Sequence, residues 1–238
     1  MSELYTPPFL IIGGLLAWLT LYLLGFKKTM WGEFILGIAI FFLALIIQQP
    51  IQQLPLLGLG ITSNQDVVAR GTLFTIETAI WLGVVAGLAQ EGMKYLLVRK
   101  KSLIDALFVG LGFGIIEVVF LVAGGIISAA SIHRALEAPF GFALLSLFER
   151  YFAVLFHVAT TIFLAYAYTS GFGKQGLASM VALHALIDSI AAYYQLTQSS
   201  VAMYLVEALF AIATILLIYY TIPKVKHQKI ENREEVLW

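Results

Sequence analysis

The sequence predicts an all-α integral membrane protein of about seven transmembrane helices, with a polar site among the third to sixth of them. Three observations lead there. The chain is 61% hydrophobic and 12% charged over 238 residues, whereas a soluble domain is about 45–50% apolar and about a quarter charged. Apolar runs of roughly 20 residues, the length that crosses a bilayer, recur from end to end. Several of these runs carry ionisable side chains in their interior, and such groups persist in a bilayer only where they find partners.

The runs fall at about 8–26, 31–49, 73–98, 103–131, 142–169, 176–194 and 200–222. The first follows "MSELYTPP", which lacks the basic segment of a signal peptide, so it reads as a retained helix. Residues 50–72 begin "PIQQLPLLGLG", with two prolines in an apolar stretch. They read as an outer loop containing a short interfacial or re-entrant piece. The tail from 223 to 238 is polar and reads as mobile. No repeat or low-complexity tract divides the chain, so 1–238 is expected to be one polytopic domain.

Basic residues set the expected orientation. Lys27, Lys28, Arg99, Lys100, Lys101, Lys174, Lys224, Lys226 and Lys229 fall on one side of a seven-helix arrangement, and Arg70 and Arg134 on the other. The positive side faces the cytoplasm, which puts the N-terminus outside and the C-terminus inside. The compact chain suits a prokaryotic inner membrane. Its net charge of zero gives no reason to expect nucleic acid as a partner. With no cysteine, disulfides and thiol catalysis are excluded, and any metal would need His and carboxylate ligands.

The intramembrane ionisable residues carry the functional reading. The third run holds Glu77, Glu91 and Lys94, and the fourth holds Glu117. The fifth holds Glu149, Arg150 and His157, the sixth His184 and Asp188, and the seventh Glu207. A rise of about 1.5 Å per residue puts Glu91, His184, His157 and Glu117 roughly 12, 15, 20 and 24 Å from the cytoplasmic boundary. With helix tilt, all four are compatible with one layer. His184 and Asp188 share a helix face, as do Arg150 and His157; Glu91 and Lys94 can pair locally. Gly87 and Gly92 flank Glu91, and Gly110, Gly112 and Gly114 precede Glu117, so the helices can approach closely there.

Each feature also has a plainer reading. Glu91 and Lys94 can be an ion pair near the interface with the lysine snorkelling outward. Glu149 and Arg150 can be an interface anchor or a structural pair, His157 a satisfied core histidine, and Asp188 a support for His184. Glu77 and Glu207 read as boundary residues. Taken jointly, two histidines and two acids on four consecutive helices make a site the default hypothesis.

The motifs that these residues form are similar to those of the membrane-embedded protease superfamily of CAAX prenyl endopeptidases, PrsW proteases and the YhfC group. Gln90, Glu91 and Lys94 match its Glu-Glu pair with a following basic residue. Phe113 and Glu117 match the Phe-x-x-x-Glu form of the PrsW-like branch, and His184 and Asp188 match His-x-x-x-Asp. The run "ERYFAVLFH", with Glu149, Arg150 and His157, looks most like the YhfC group. The resemblance spans roughly residues 85–190, in a family-like core of about 73–194. One position departs: Gln90 stands where the family has a glutamate, so Glu91 or Glu117 would serve instead, or the chain is inactive.

The resemblance implies an intramembrane endopeptidase acting on a transmembrane or lipid-modified protein within the bilayer. Such hydrolysis needs water, a base and oxyanion donors. Glu91 is the expected base, with Lys94 orienting it. His157 and His184 would position water or stabilise the oxyanion, Asp188 would fix the His184 tautomer, and Glu117 would complete the site, supported by Glu149, Arg150 and Phe113. No cofactor is favoured. Zinc on His157, His184 and Glu117 or Asp188 is the metal-dependent version. A proton-coupled carrier and a non-catalytic scaffold of protease descent are the rival classes.

Overall fold

The computed structural model describes the backbone of residues 3–131 and 137–235 and the side chains of 5–131 and 138–228. Its elements are β1 (Glu3–Tyr5), α1 (Pro7–Leu23), α2 (Trp31–Gly58), α3 (Asn64–Ala69), α4 (Thr72–Val98), α5 (Leu103–Ser131), β2 (Glu137–Pro139), α6 (Phe140–Thr169), α7 (Gly173–Thr197) and α8 (Ser200–Glu235). Among the described residues six helices, α2 and α4 to α8, are long and apolar enough to cross a membrane, and α1 is a shorter apolar helix. That is the all-α architecture of about seven helices expected from the sequence. The strands are three residues each and pair antiparallel, Glu3 opposite Pro139 and Tyr5 opposite Glu137.

Local chemistry explains most boundaries. Pro7 and Pro8 open α1, where the missing N–H would lack a helical partner in any case. Gly25, at φ +103°, ends it; the Phe26 amide then reaches back to the Leu21 carbonyl at 3.1 Å, a left-handed cap. Ser63 caps α3 in a reciprocal box with Asp66. The Thr62 amide foremost, with the Ser63 and Thr62 hydroxyls and the Ser63 amide, holds the Asp66 carboxyl below its usual range. That contribution to the cap is present above the ordinary carboxylate range and is lost as pH falls through the lowered value.

Two expectations need correction. Helix α2 does not stop near residue 49 but runs on through Pro50 and Pro55 to Gly58, so 50–58 is helix and the connection to α4 begins only at 59. Proline is tolerated in a spanning helix where neighbouring groups satisfy the backbone it disturbs. The carbonyls that Pro50 and Pro55 leave without an i+4 donor are those of Ile46 and Ile51; in the continued stretch the Trp81 indole donates to the Gln52 carbonyl at 3.4 Å. The tail also differs, because α8 continues through Pro223 to Glu235. Val225 is buried, the Gln228 side chain accepts from the Leu103 amide at 2.7 Å, and the Lys224 ammonium lies over the Tyr220 ring. These contacts anchor the tail's start as helix. Arg134, part of the orientation argument, lies outside the described residues.

The chain forms two compact units: residues 1–39, 103–162 and 213–238, and residues 40–102 and 163–212. In the first, α5 packs on the first part of α6 around Leu107, Phe108, Leu111, Phe113, Val154 and Phe156, all essentially inaccessible. A Cβ on Gly110 would lie 2.6 Å from the His157 carbonyl, and one on Gly114 would lie 2.8 Å from Val154 Cα. In the second unit α4 packs on α7 by the same device. A Cβ on Gly83 would lie 2.5 Å from the Ala185 carbonyl, and one on Gly87 2.8 Å from the Val181 carbonyl. Gly92, by contrast, faces open space.

This contrast is testable. Gly87→Leu should lower the thermal unfolding midpoint in detergent by about 5 °C or more, because overpacking costs about 1–3 kcal/mol. Gly92→Ala should leave the midpoint unchanged or raise it by about 2 °C, since helix propensity improves by roughly 1 kcal/mol.

Candidate functional site: two buried ionic clusters

Each unit contains one cluster of buried charge. In the unit of α4 and α7, Glu91 and Lys94 are both 0% exposed, so the lysine does not snorkel outward. Lys94 Nζ donates to Glu91 Oε1 at 2.6 Å. His184 Nδ1 lies 2.6 Å from the same oxygen, and its Nε2 lies 3.4 Å from Asp188 Oδ2. The geometry follows from helix periodicity: residues three and four apart stand on one face, and Gly83 and Gly87 bring α7 close enough for His184 to meet Glu91. Glu91 Oε2 is buried and has no hydrogen-bond partner among the described residues. The cluster is therefore a carboxylate with one oxygen doubly held and the other available.

In the unit of α5 and α6, Glu117 is held at both oxygens. Arg150 Nη1 donates to Oε1 at 3.1 Å, and His157 Nε2 lies 2.6 Å from Oε2. Arg150 Nη2 also donates to Glu149. Arg150 and His157, seven residues apart on α6, thus share a face and clasp one carboxylate of α5. The Phe113 ring lies 4.8 Å from the imidazole, centroid to centroid. The His157 carbonyl in turn accepts from Thr161 Oγ1 at 2.5 Å.

All nine expected site residues thus fall into one cluster or the other. Glu91, Lys94, His184 and Asp188 are brought together in one unit, and Phe113, Glu117, Glu149, Arg150 and His157 in the other. Glu77 is exposed and Glu207 half-buried. Sequence reasoning singled out Gln90 on α4 but missed the two amides of α2 that join it, Gln48 and Gln52. Their trace is the i, i+4 spacing of two glutamines in a run that reads as a helix end.

The family model described as "YhfC intramembrane metalloprotease" matches residues 128–211. The match covers about a third of the chain and includes Glu149, Arg150, His157, His184 and Asp188, while Glu91, Lys94 and Glu117 precede it. It agrees with the resemblance to the YhfC and PrsW-like branch carried by the motifs. No curated protein and no solved structure matches the chain.

A metalloprotease implies a metal, and a catalytic zinc takes about three protein donors turned toward one point. His184 has a carboxylate at each ring nitrogen, and the Lys94 ammonium sits on Glu91. Both Glu117 oxygens are engaged, one of them by a guanidinium. Among the described residues no three His, Asp or Glu side chains are arranged to hold a metal ion. So arranged, these residues do not fit a resident zinc.

Removing one partner of a buried pair leaves an uncompensated charge. Lys94→Met should therefore destabilise the protein by about 3 kcal/mol in denaturant unfolding in micelles. Glu149→Gln, which removes only the half-exposed partner of Arg150, should cost about 1 kcal/mol or less.

Proposed function

We propose that the protein is an intramembrane endopeptidase in which Glu91 activates water without a metal. The observation that carries this reading is the Glu91 carboxylate, buried with Oε1 fixed by Lys94 and His184 and Oε2 without a partner among the described residues. Glu117 lacks such an oxygen, which favours Glu91 over Glu117 as the base.

In the proposed reaction Glu91 Oε2 takes a proton from water as the water oxygen adds to the peptide carbonyl carbon. The carbonyl oxygen becomes an oxyanion. Glu91 then passes its proton to the leaving nitrogen, the C–N bond breaks, and the products are a carboxylic acid and an amine. Lys94 keeps the carboxylate oriented. The 3.4 Å contact of His184 Nε2 with Asp188 is the looser of the two that the ring makes. That N–H is therefore the donor assigned to the oxyanion, with Asp188 holding the ring between turnovers. Arg150 and Glu149 are assigned the structural pairing and His157 the satisfied core position weighed for them; with Glu117, in place of its expected part in the site, they form a charge-compensated brace of α5 on α6, with Phe113 against the imidazole.

The proposed substrate is a transmembrane or lipid-modified protein of a prokaryotic inner membrane. The protein's own N-terminus is assigned to the outside and its C-terminus to the cytoplasm, from the lysines and arginines of the connections.

The test is cleavage of single-span reporter proteins in proteoliposomes, with products identified by mass spectrometry. Glu91→Gln and His184→Ala should lower the rate at least about 100-fold, the range of general acid–base catalysis. A chelator should leave the rate unchanged. Normal cleavage by Glu91→Gln would sink the assignment. One zinc per chain with loss of activity in chelator would overturn the metal-independent route, and proton flux without cleavage would favour a carrier.

A further inference from the structure

Three glutamines in the unit of α4 and α7 form a hydrogen-bonded series that runs in one direction only. Gln90 Nε2 donates to Gln48 Oε1 at 3.1 Å. Gln48 Nε2 donates to Gln52 Oε1 at 3.3 Å. Gln52 Nε2 donates to the Leu82 carbonyl at 2.7 Å. Gln48 and Gln52 are buried and Gln90 is half-buried. The series leaves α4 at Gln90, crosses to α2, and returns to α4 at Leu82, two turns earlier.

The direction is set at the Leu82 end. A backbone carbonyl can only accept, so Gln52 must turn its NH2 there and present its oxygen to Gln48. Gln48 must then turn its NH2 to Gln52 and its own oxygen to Gln90. Reversing any one amide would set carbonyl against carbonyl, or NH2 against NH2. The side chain at position 90 must therefore be a donor; an ionised carboxylate there has no proton to give, and a glutamate could donate only as the neutral acid.

We propose that Gln90 is a positioning residue. It heads a one-way amide ladder that locks α4 to α2 and so sets the bearing of Glu91, the next side chain on the same turn. The consequence for catalysis rests on the reading of Glu91 as the base; the ladder itself does not.

Four variants of the full chain test this by thermal unfolding in detergent. Gln90→Glu places an acceptor against Gln48 Oε1. Gln90→Lys also adds a charge but keeps a donor. Gln52→Lys supplies donors both to Leu82 and to a reversed Gln48, which can then donate to an acid at 90. Gln90→Glu should lose about 5 °C or more at high pH, where the acid is ionised and buried polar groups are left unpaired, and less at low pH, where the neutral acid still donates to Gln48 Oε1. Gln90→Lys should lose less than half as much. Gln52→Lys should lose stability alone, yet restore at least half the loss in the double variant with Gln90→Glu. A Gln90→Glu midpoint unchanged at high pH, an equal fall in Gln90→Lys, or no recovery in the double variant would each overturn the ladder.

The positioning role is read separately, on the reporter protein that the wild type cleaves. Gln90→Glu should lower kcat about 10-fold or more, with KM within about 2-fold, and the double variant should recover kcat. Wild-type kcat in a destabilised Gln90→Glu would overturn the positioning role. If the wild type cleaves no reporter, the protease reading falls, and the unfolding midpoints still decide the ladder.

Discussion

A carboxylate and an ammonium that share no surface with solvent are the constraint from which the α4–α7 unit is built. Neither Glu91 nor Lys94 can be left alone in a medium of low dielectric, where an unpaired charge costs several kcal/mol. Their pairing at 2.6 Å is local to one helix. His184 joins them only because α7 lies almost against the α4 backbone, and that approach depends on Gly83 and Gly87 having no side chain. Burial, glycine packing and the ionic cluster therefore stand or fall together.

The α5–α6 unit solves the same problem with different chemistry and reaches a different result. Arginine offers a planar fork of donors, and lysine a compact point charge. Arg150 reaches Glu117 and Glu149 together, while His157 takes the second Glu117 oxygen. Each Glu117 oxygen thus has a partner on α6. Lys94 and His184 converge instead on a single oxygen of Glu91. The contrast on which the proposed roles of Glu117 and Glu91 rest is how their partners are distributed over two oxygen atoms. Both units use a glycine pair to bring a histidine to an acid, so the contrast lies in the clasp rather than in the packing.

Much of the fold was legible from hydropathy alone. Seven apolar runs became α1, α2 and α4 to α8, because a bilayer demands that backbone groups be satisfied within each segment. The pairings within one helix were legible too: Glu91 with Lys94, His184 with Asp188, and Arg150 with His157 on one face. Helix ends at proline were not. Pro50 and Pro223 read as terminators by local propensity, yet α2 and α8 pass through both. In each case a neighbouring element stabilises the continuation, Trp81 for α2 and Leu103 for α8. The glutamine series was also hidden: Gln90 was singled out for its motif position, but Gln48 and Gln52 join it only once α2 and α4 are adjacent.

The sequence by itself determined that this chain lives in a membrane, how many times it can cross, and which polar side chains its helices must find partners for. Those properties follow from composition and from the 3.6-residue period, both local. Only the tertiary structure decided which of the Glu91 and Glu117 carboxylates has an oxygen without a partner among the described residues. Within one unit it brought His184 to Glu91, within the other it brought Arg150 and His157 to Glu117, and it directed the amides at Gln90. Each of these depends on which helix faces which, at distances of about 3 Å. No period along a single helix encodes that.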